Sequence, residues 1–170
     1  MTVISTVRDA EHLTLTFVAE FAAPPERVWQ VWEDARQLER WWGPPTWPAT
    51  FDEHDLSVGS RSAYYMTGPE GEKAHGWWEI VAVDPPRSLA FDEGLSDDDG
   101  KPTADLPARV EVTLEPVSLD GDAEGTRMTT VNRFVSVEQL EQMMQMGMEE
   151  GMRLAMGQID AILISEGVKR

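Results

Sequence analysis

His12-Leu13-Thr14-Leu15-Thr16-Phe17-Val18-Ala19-Glu20-Phe21, followed at once by Ala22-Ala23-Pro24-Pro25-Glu26-Arg27-Val28-Trp29, is the stretch whose reading decides the fold. In its first half Leu13, Leu15, Phe17, Ala19 and Phe21 alternate with Thr14, Thr16, Val18 and Glu20, which puts the first set on one face of a strand. Two prolines then stop the strand. Pro25 suits the first position of a helix, where the missing N–H would have had no intrahelical partner. Val28, Val31, Trp32 and Ala35 recur at helical spacing, so a short helix over Glu26–Glu33 turns one apolar face inward. Asp34, with Gln37 three residues on, has the form of a capping box and opens a second short helix carrying Leu38 and Trp41; Gly43-Pro44-Pro45 ends it.

Downstream the spacing predicts strands over Ala49–Asp55, Ser60–Thr67, Lys73–Val83, Ser88–Glu93, Leu106–Glu115 and Thr126–Phe134. Turn chemistry separates them: Val58-Gly59, Gly68-Pro69-Glu70-Gly71, Asp84-Pro85-Pro86, the acidic Asp97-Asp98-Asp99-Gly100 loop and Asp120-Gly121-Asp122. Such short connections favour hairpins over crossover helices, hence an antiparallel sheet, and with the first strand the sheet has seven strands. Ser136-Val137-Glu138-Gln139 is a second capping box, and no proline follows it. One long helix is therefore expected from about Val137 to Ser165. Leu140, Met144, Met148, Met152, Ala155, Ile159, Ile162 and Leu163 form its apolar face.

The order strand, two short helices, six strands, long helix has one economical layout. A curved seven-stranded antiparallel sheet wraps around the C-terminal helix, and the short helices close one end. This is an α+β helix-grip fold, read as a single domain over residues 1–170 with its core at about 12–165. Between a curved sheet and one helix there is room for a cavity of the kind that takes small molecules.

Composition narrows the partners. Fourteen Lys and Arg against 31 Asp and Glu give this acidic protein a formal net charge of −17, which repels phosphate backbones and anionic lipid and disfavours nucleic acid. The absence of cysteine excludes disulfides, thiolate metal sites and cysteine nucleophiles. Residues Met1–Ala10 lack the apolar run of a signal peptide, and no later stretch reaches membrane-spanning length, so a cytoplasmic protein without membrane insertion is expected. The sequence leaves room for a homodimer.

Ala23-Pro24-Pro25-Glu26-Arg27-Val28-Trp29, then Trp32, Leu38, Trp41, Trp42, Gly43 and Pro44, resembles the opening signature of the SRPBCC (START-like) superfamily. Within it the chain is most similar to the bacterial branch named after the activator of heat-shock protein 90 ATPase. Asp55-Leu56-Ser57-Val58-Gly59-Ser60 is similar to that branch's acidic residue before a Gly-Gly turn, with Ser60 in place of the second glycine. Gly76–Glu79 and Val83-Asp84-Pro85-Pro86-Arg87-Ser88-Leu89 resemble its strand-turn-strand signature. Gly151-Met152, with Leu154 and Ile159, lies where the family usually shows Gly-Trp and spaced leucines. The resemblance implies the helix-grip fold and a role among ligand carriers, cyclases and co-chaperones, without naming one.

Met144, Met148 and Met152 fall at four-residue spacing, and flexible, polarisable Met suits an adaptable apolar pocket as well as it suits core filling. Trp42 and Trp78 add rigid surface, with Trp47 and Trp77 as further candidates. Tyr64 and Met66 share a strand face, and Met128, Thr130, Asn132 and Phe134 share another, so Tyr64 and Asn132 are candidate polar anchors or simply satisfied core groups. Phe91 and Val112 complete the proposed lining. Gly147 and Gly151 are costly inside a helix and mark either a close approach or room for a ligand. His12, His54 and His75 fall on separate predicted strands with no metal-ligand spacing, so neither a metal nor a cofactor is expected. Asp52, Glu79, Asp92 and Glu93 are candidate acid/base groups should one of them face the cavity, and solvated strand faces otherwise.

Three functions follow in order. The first is binding of a small apolar ligand, as carrier, sensor or protective binding protein. The second is a cofactor-independent cyclase, hydratase or isomerase that uses the same cavity and one inward-facing ionisable group of shifted pKa. The third is a co-chaperone-like interaction module, which fits the acidity least.

Overall fold

Two strands, not one, precede the first helix: β1 (Val3–Asp9) and β2 (Thr14–Phe21). The computed structural model describes residues 3–167 apart from 100, 102, 104–106, 120 and 122, so Met1, Gly100, Leu106, Asp120 and Asp122 of the sequence reading lie outside the described residues. In β2 the predicted alternation holds, with Leu15, Phe17, Ala19 and Phe21 buried. The extra strand corrects the sheet from seven strands to eight. β1 carries little amphipathic signal because it lies at the sheet edge, with Val7 more than half exposed. The turn that joins it to β2 contains neither glycine nor proline. It is closed by the Asp9 carboxylate, which accepts from the backbone N–H groups of Glu11 and His12, both at 3.1 Å.

After β2 come α1 (Pro25–Glu33) and α2 (Ala35–Leu38), then β3 (Ala49–Glu53), β4 (Arg61–Thr67), β5 (Lys73–Asp84), β6 (Ser88–Ser96), β7 (Ala108–Ser118) and β8 (Glu124–Arg133). All eight strands form one antiparallel sheet in the order β1-β2-β8-β7-β6-β5-β4-β3. Consecutive strands from β3 to β8 are hairpin neighbours, as the short turns require. β8 then pairs with β2, so the first predicted strand and the last are joined.

The two short helices cover much of one sheet face. Trp32 of α1 is fully buried, 4.8 Å from Trp41 edge-on and 6.2 Å from both Trp78 and Phe91, and its indole N–H points at the Met128 sulfur at 3.4 Å. Trp78 stacks on Phe91 with ring centroids 4.0 Å apart. Arg27 fastens this layer: its guanidinium donates to Gln37 of α2 at 3.0 Å and to the Ile162 carbonyl at 3.0 Å.

The expected long C-terminal helix is three helices: α3 (Val137–Gln145), α4 (Met148–Met156) and α5 (Ile159–Gly167). The Ser136 hydroxyl accepts from the Gln139 N–H at 3.0 Å, as the capping box predicts. The first break falls at Gly147, whose φ of 82° lies in the left-handed region that glycine enters without a Cβ penalty. Gly147 therefore ends one helix and starts the next instead of weakening the middle of one. The second break, at Gly157-Gln158, is held where the Gln158 amide donates to the Gly43 carbonyl at 2.7 Å. Apolar periodicity alone does not reveal these breaks, because it continues across both of them.

Candidate functional site

A cavity of about 620 Å³ lies between the β4–β6 end of the sheet and helices α3 and α4. Trp42, Tyr64, Ala108 and Phe134 form its buried inner wall. Trp47 and Met66 flank them, while Met143, Met148, Gly151 and Met152 come from the helices. Leu95, Val135 and Met146, all substantially exposed, surround the mouth.

Of the residues proposed from sequence, Trp42, Tyr64, Met66, Met148 and Met152 are brought together on this cavity. Trp78, Phe91, Val112, Met128 and Asn132 are not: all five are buried but belong to the packed core. Trp32 of α1 packs against Trp78, Phe91 and Met128, so this part of the sheet face meets the helix layer and not the cavity. Asn132 donates to the Leu15 carbonyl across the β2–β8 pair at 3.1 Å, a satisfied inter-strand bond. Met144 also leaves the lining and packs, half-buried, against the core. The break at Gly147 re-phases the helix face, so Met143 and Met146 line the cavity where unbroken four-residue spacing would have placed Met144. A Cβ added at Gly151 would meet nothing within 4 Å, so this glycine leaves open space on the cavity wall.

The carboxylates sort themselves by strand face. Asp92 points outward and pairs with Arg109 at 2.5 Å, and Glu79 pairs with Arg61 at 3.2 Å. Glu93 shares the inward parity of Leu89 and Phe91 and lines the cavity. Its Oε2 is inaccessible to solvent and has no hydrogen-bond partner among the described residues. Burial pushes its carboxyl up to about 7. Tyr64 lies on the same wall, its phenol pushed further above the ordinary value by burial and then by the Glu93 charge, so it stays neutral. The Tyr64 phenol also occupies the space a Cβ on Gly76 would need, which explains the glycine opposite it on β5. The buried indole of Trp42 lies against the Tyr64 phenol, and its N–H partly offsets the phenol's upward shift. Glu93 was detectable in the sequence by its parity with Phe91. Trp47, a further candidate from the sequence, also lines the cavity, whereas Met143 and Met146 join through the break at Gly147, which periodicity does not encode.

His54, by contrast, is structural. Its Nε2 donates to the Trp32 carbonyl at 2.7 Å and its Nδ1 lies 2.8 Å from the Ser62 hydroxyl. Burial holds the ring below its ordinary 6.5, against the opposing effects of the Trp32 carbonyl and the nearby acidic groups. Below 6.5 the unfolded chain takes up the proton first, so this group's contribution to stability is lost as pH falls. Urea midpoints measured between about pH 7 and pH 5 should fall less in His54→Asn than in the wild type. Among the described residues no group of three His, Cys, Asp or Glu is placed to hold a metal ion, and no helix is long and apolar enough to cross a membrane.

An eight-stranded antiparallel sheet closed by C-terminal helices, with a side cavity between the two layers, defines the helix-grip class. A sequence model of the family described as "Activator of Hsp90 ATPase homolog 1-like protein" matches residues 22–164, and the chain belongs to that family. Among solved structures it is similar to a protein from Arthrobacter aurescens determined by solution NMR, at 52% identity over 95% of this chain and 92% of that one, with a TM-score of 0.88. It is likewise similar to Ms6760 from Mycobacterium smegmatis, at 48% identity over 95% and 96%, TM-score 0.84. NE0264 from Nitrosomonas europaea, at 22% identity over 92% and 97% with TM-score 0.77, shares the fold. A comparison with curated proteins returns no match.

Proposed function

We propose that this protein binds a small, mainly apolar molecule carrying one polar group, seated between Trp42, Tyr64 and the Met residues of α3 and α4. The observation that carries this reading is an apolar cavity of about 620 Å³ lined by the carboxyl of Glu93, whose Oε2 is buried without a hydrogen-bond partner among the described residues. Apolar walls supply affinity through burial, and one or two placed polar groups supply orientation. Flexible Met side chains let the wall adapt to the occupant.

A neutral naphthyl dye whose fluorescence rises in apolar surroundings tests the reading. The dye should bind at one saturable site and be displaced by small apolar competitors. Gly151→Leu should weaken its binding by at least roughly tenfold, because the new side chain enters the open space beside this glycine. Folded stability should not fall, since leaving glycine in a helix favours α4 by about 1 kcal/mol. Unchanged dye affinity in Gly151→Leu would place the dye elsewhere and remove the support for this site.

The raised pKa of Glu93 favours a second reading, in which the same cavity orients a substrate and Glu93 moves a proton as general acid or base. A group that titrates at about 7 is present in both protonation states at neutral pH. It takes second place because binding needs only the cavity, whereas proton transfer also needs a substrate whose reacting atom sits at the Glu93 carboxyl.

A further inference from the structure

The charge distribution of the cavity narrows its occupant further, an argument that rests on the binding reading above. None of the described lining residues is Lys, Arg or His, and the two carboxylates among them are Glu93 at the inner wall and Glu138 on α3. A carboxylate or phosphate head group entering here would find no counter-charge and would face Glu93. Trp42, Trp47 and Tyr64 also line the cavity, and aromatic rings attract cations to their faces. At long range the formal net charge of −17 draws cations toward the protein and repels anions.

From this we infer that the cavity selects apolar amines, with the protonated amine of the ligand pairing with the Glu93 carboxylate and its apolar body lying among Trp42, Tyr64 and the helix Met residues. Glu93 lines the cavity, so an ammonium group seated there meets its carboxylate and supplies the cationic donor that none of the described lining residues offers. The resulting contact is charge-assisted and sheltered from water, so one head group decides between ligands of equal apolar size. An alcohol retains the apolar contacts and one weaker hydrogen bond. A carboxylic acid must give up its own charge or displace that of Glu93.

Decylamine, decanol and decanoate share one chain and differ only in head group. Calorimetric titration of each into the full-length protein, at about pH 8, in physiological salt and below the concentration at which they aggregate, reads the selectivity directly. Decylamine should bind at least roughly tenfold more tightly than decanol, as expected for one sheltered charge-assisted contact, and decanoate should bind most weakly. In Glu93→Gln the amine should come to within about twofold of the alcohol, because Gln keeps the shape and lacks the charge. Lowering the pH should reduce the amine preference as Glu93 takes up a proton. Of the other titratable groups facing the cavity, Tyr64 remains neutral throughout and Glu138 lies on α3. Equal or tighter binding of decanoate would overturn the inference, and so would an amine preference that survives in Glu93→Gln, which would trace it to the acidic surface. Decanol binding without amine preference would overturn this inference alone, whereas uptake of none of the three would overturn the binding reading with it.

Discussion

Glu93→Gln should stabilise the folded protein by up to about 3 kcal/mol at about pH 8 and leave it nearly unchanged at about pH 4. The sign follows from where the proton sits. In the unfolded chain the carboxyl titrates at its ordinary value of 4.5, and in the fold burial raises it to about 7. Between these values the fold still holds a proton that the unfolded chain has released, so wild-type stability falls as pH rises and levels off once both states are ionised. Gln has no proton to lose. The difference between the two proteins should therefore open from about 4.5 upward and stop growing above about 7. Paired urea titrations across this range isolate the effect from His54 and the surface carboxylates, which both proteins share. A difference that stays flat with pH would mean that Glu93 ionises as an ordinary carboxylate, and the buried acid at the cavity wall would be lost as an idea. The expected gain also has a functional sense: wild-type Glu93 is a stability cost borne at a cavity, the place where polar groups are kept for binding or chemistry.

Trp32→Ala should lower stability by about 3–5 kcal/mol, a large part of the 5–15 kcal/mol by which domains are typically stable. Trp32 is fully buried, bridges Trp41 to Trp78 and Phe91, and directs its N–H to Met128, so truncation opens a void on several elements at once. Trp47→Ala provides the comparison. Its indole is half-buried with the cavity on one side, so it has fewer partners to lose and its removal should cost substantially less. Thermal or urea unfolding of the two variants orders them. Should Trp47→Ala prove the more damaging, the aromatic layer under α1 would not be the centre of the core.

The buried parity of β2, the helix that starts at Pro25, the hairpin order from β3 to β8 and the Ser136 cap are all local patterns, and each appears in the structure as the sequence predicts. Edge strand β1 gave little signal because an edge strand buries only part of one face and its turn uses an Asp side chain in place of glycine. The candidate site was read less completely. Trp78, Phe91, Val112, Met128 and Asn132 face the packed side of the sheet and not the cavity, because periodicity reports which side of a strand is buried and not by what.

The sequence by itself determined the helix-grip layout, since strand period, proline stops and caps act between residues a few positions apart. It also limited the answer to Glu93 and three other carboxylates. Only the tertiary structure decided that Glu93 alone of the four lines the cavity, and that the terminal helix breaks at Gly147 and so turns Met143 and Met146 toward the same space. Both outcomes depend on which layer packs against which. That is a matter of volumes and contacts between residues far apart in the chain, and no pattern along the chain records it.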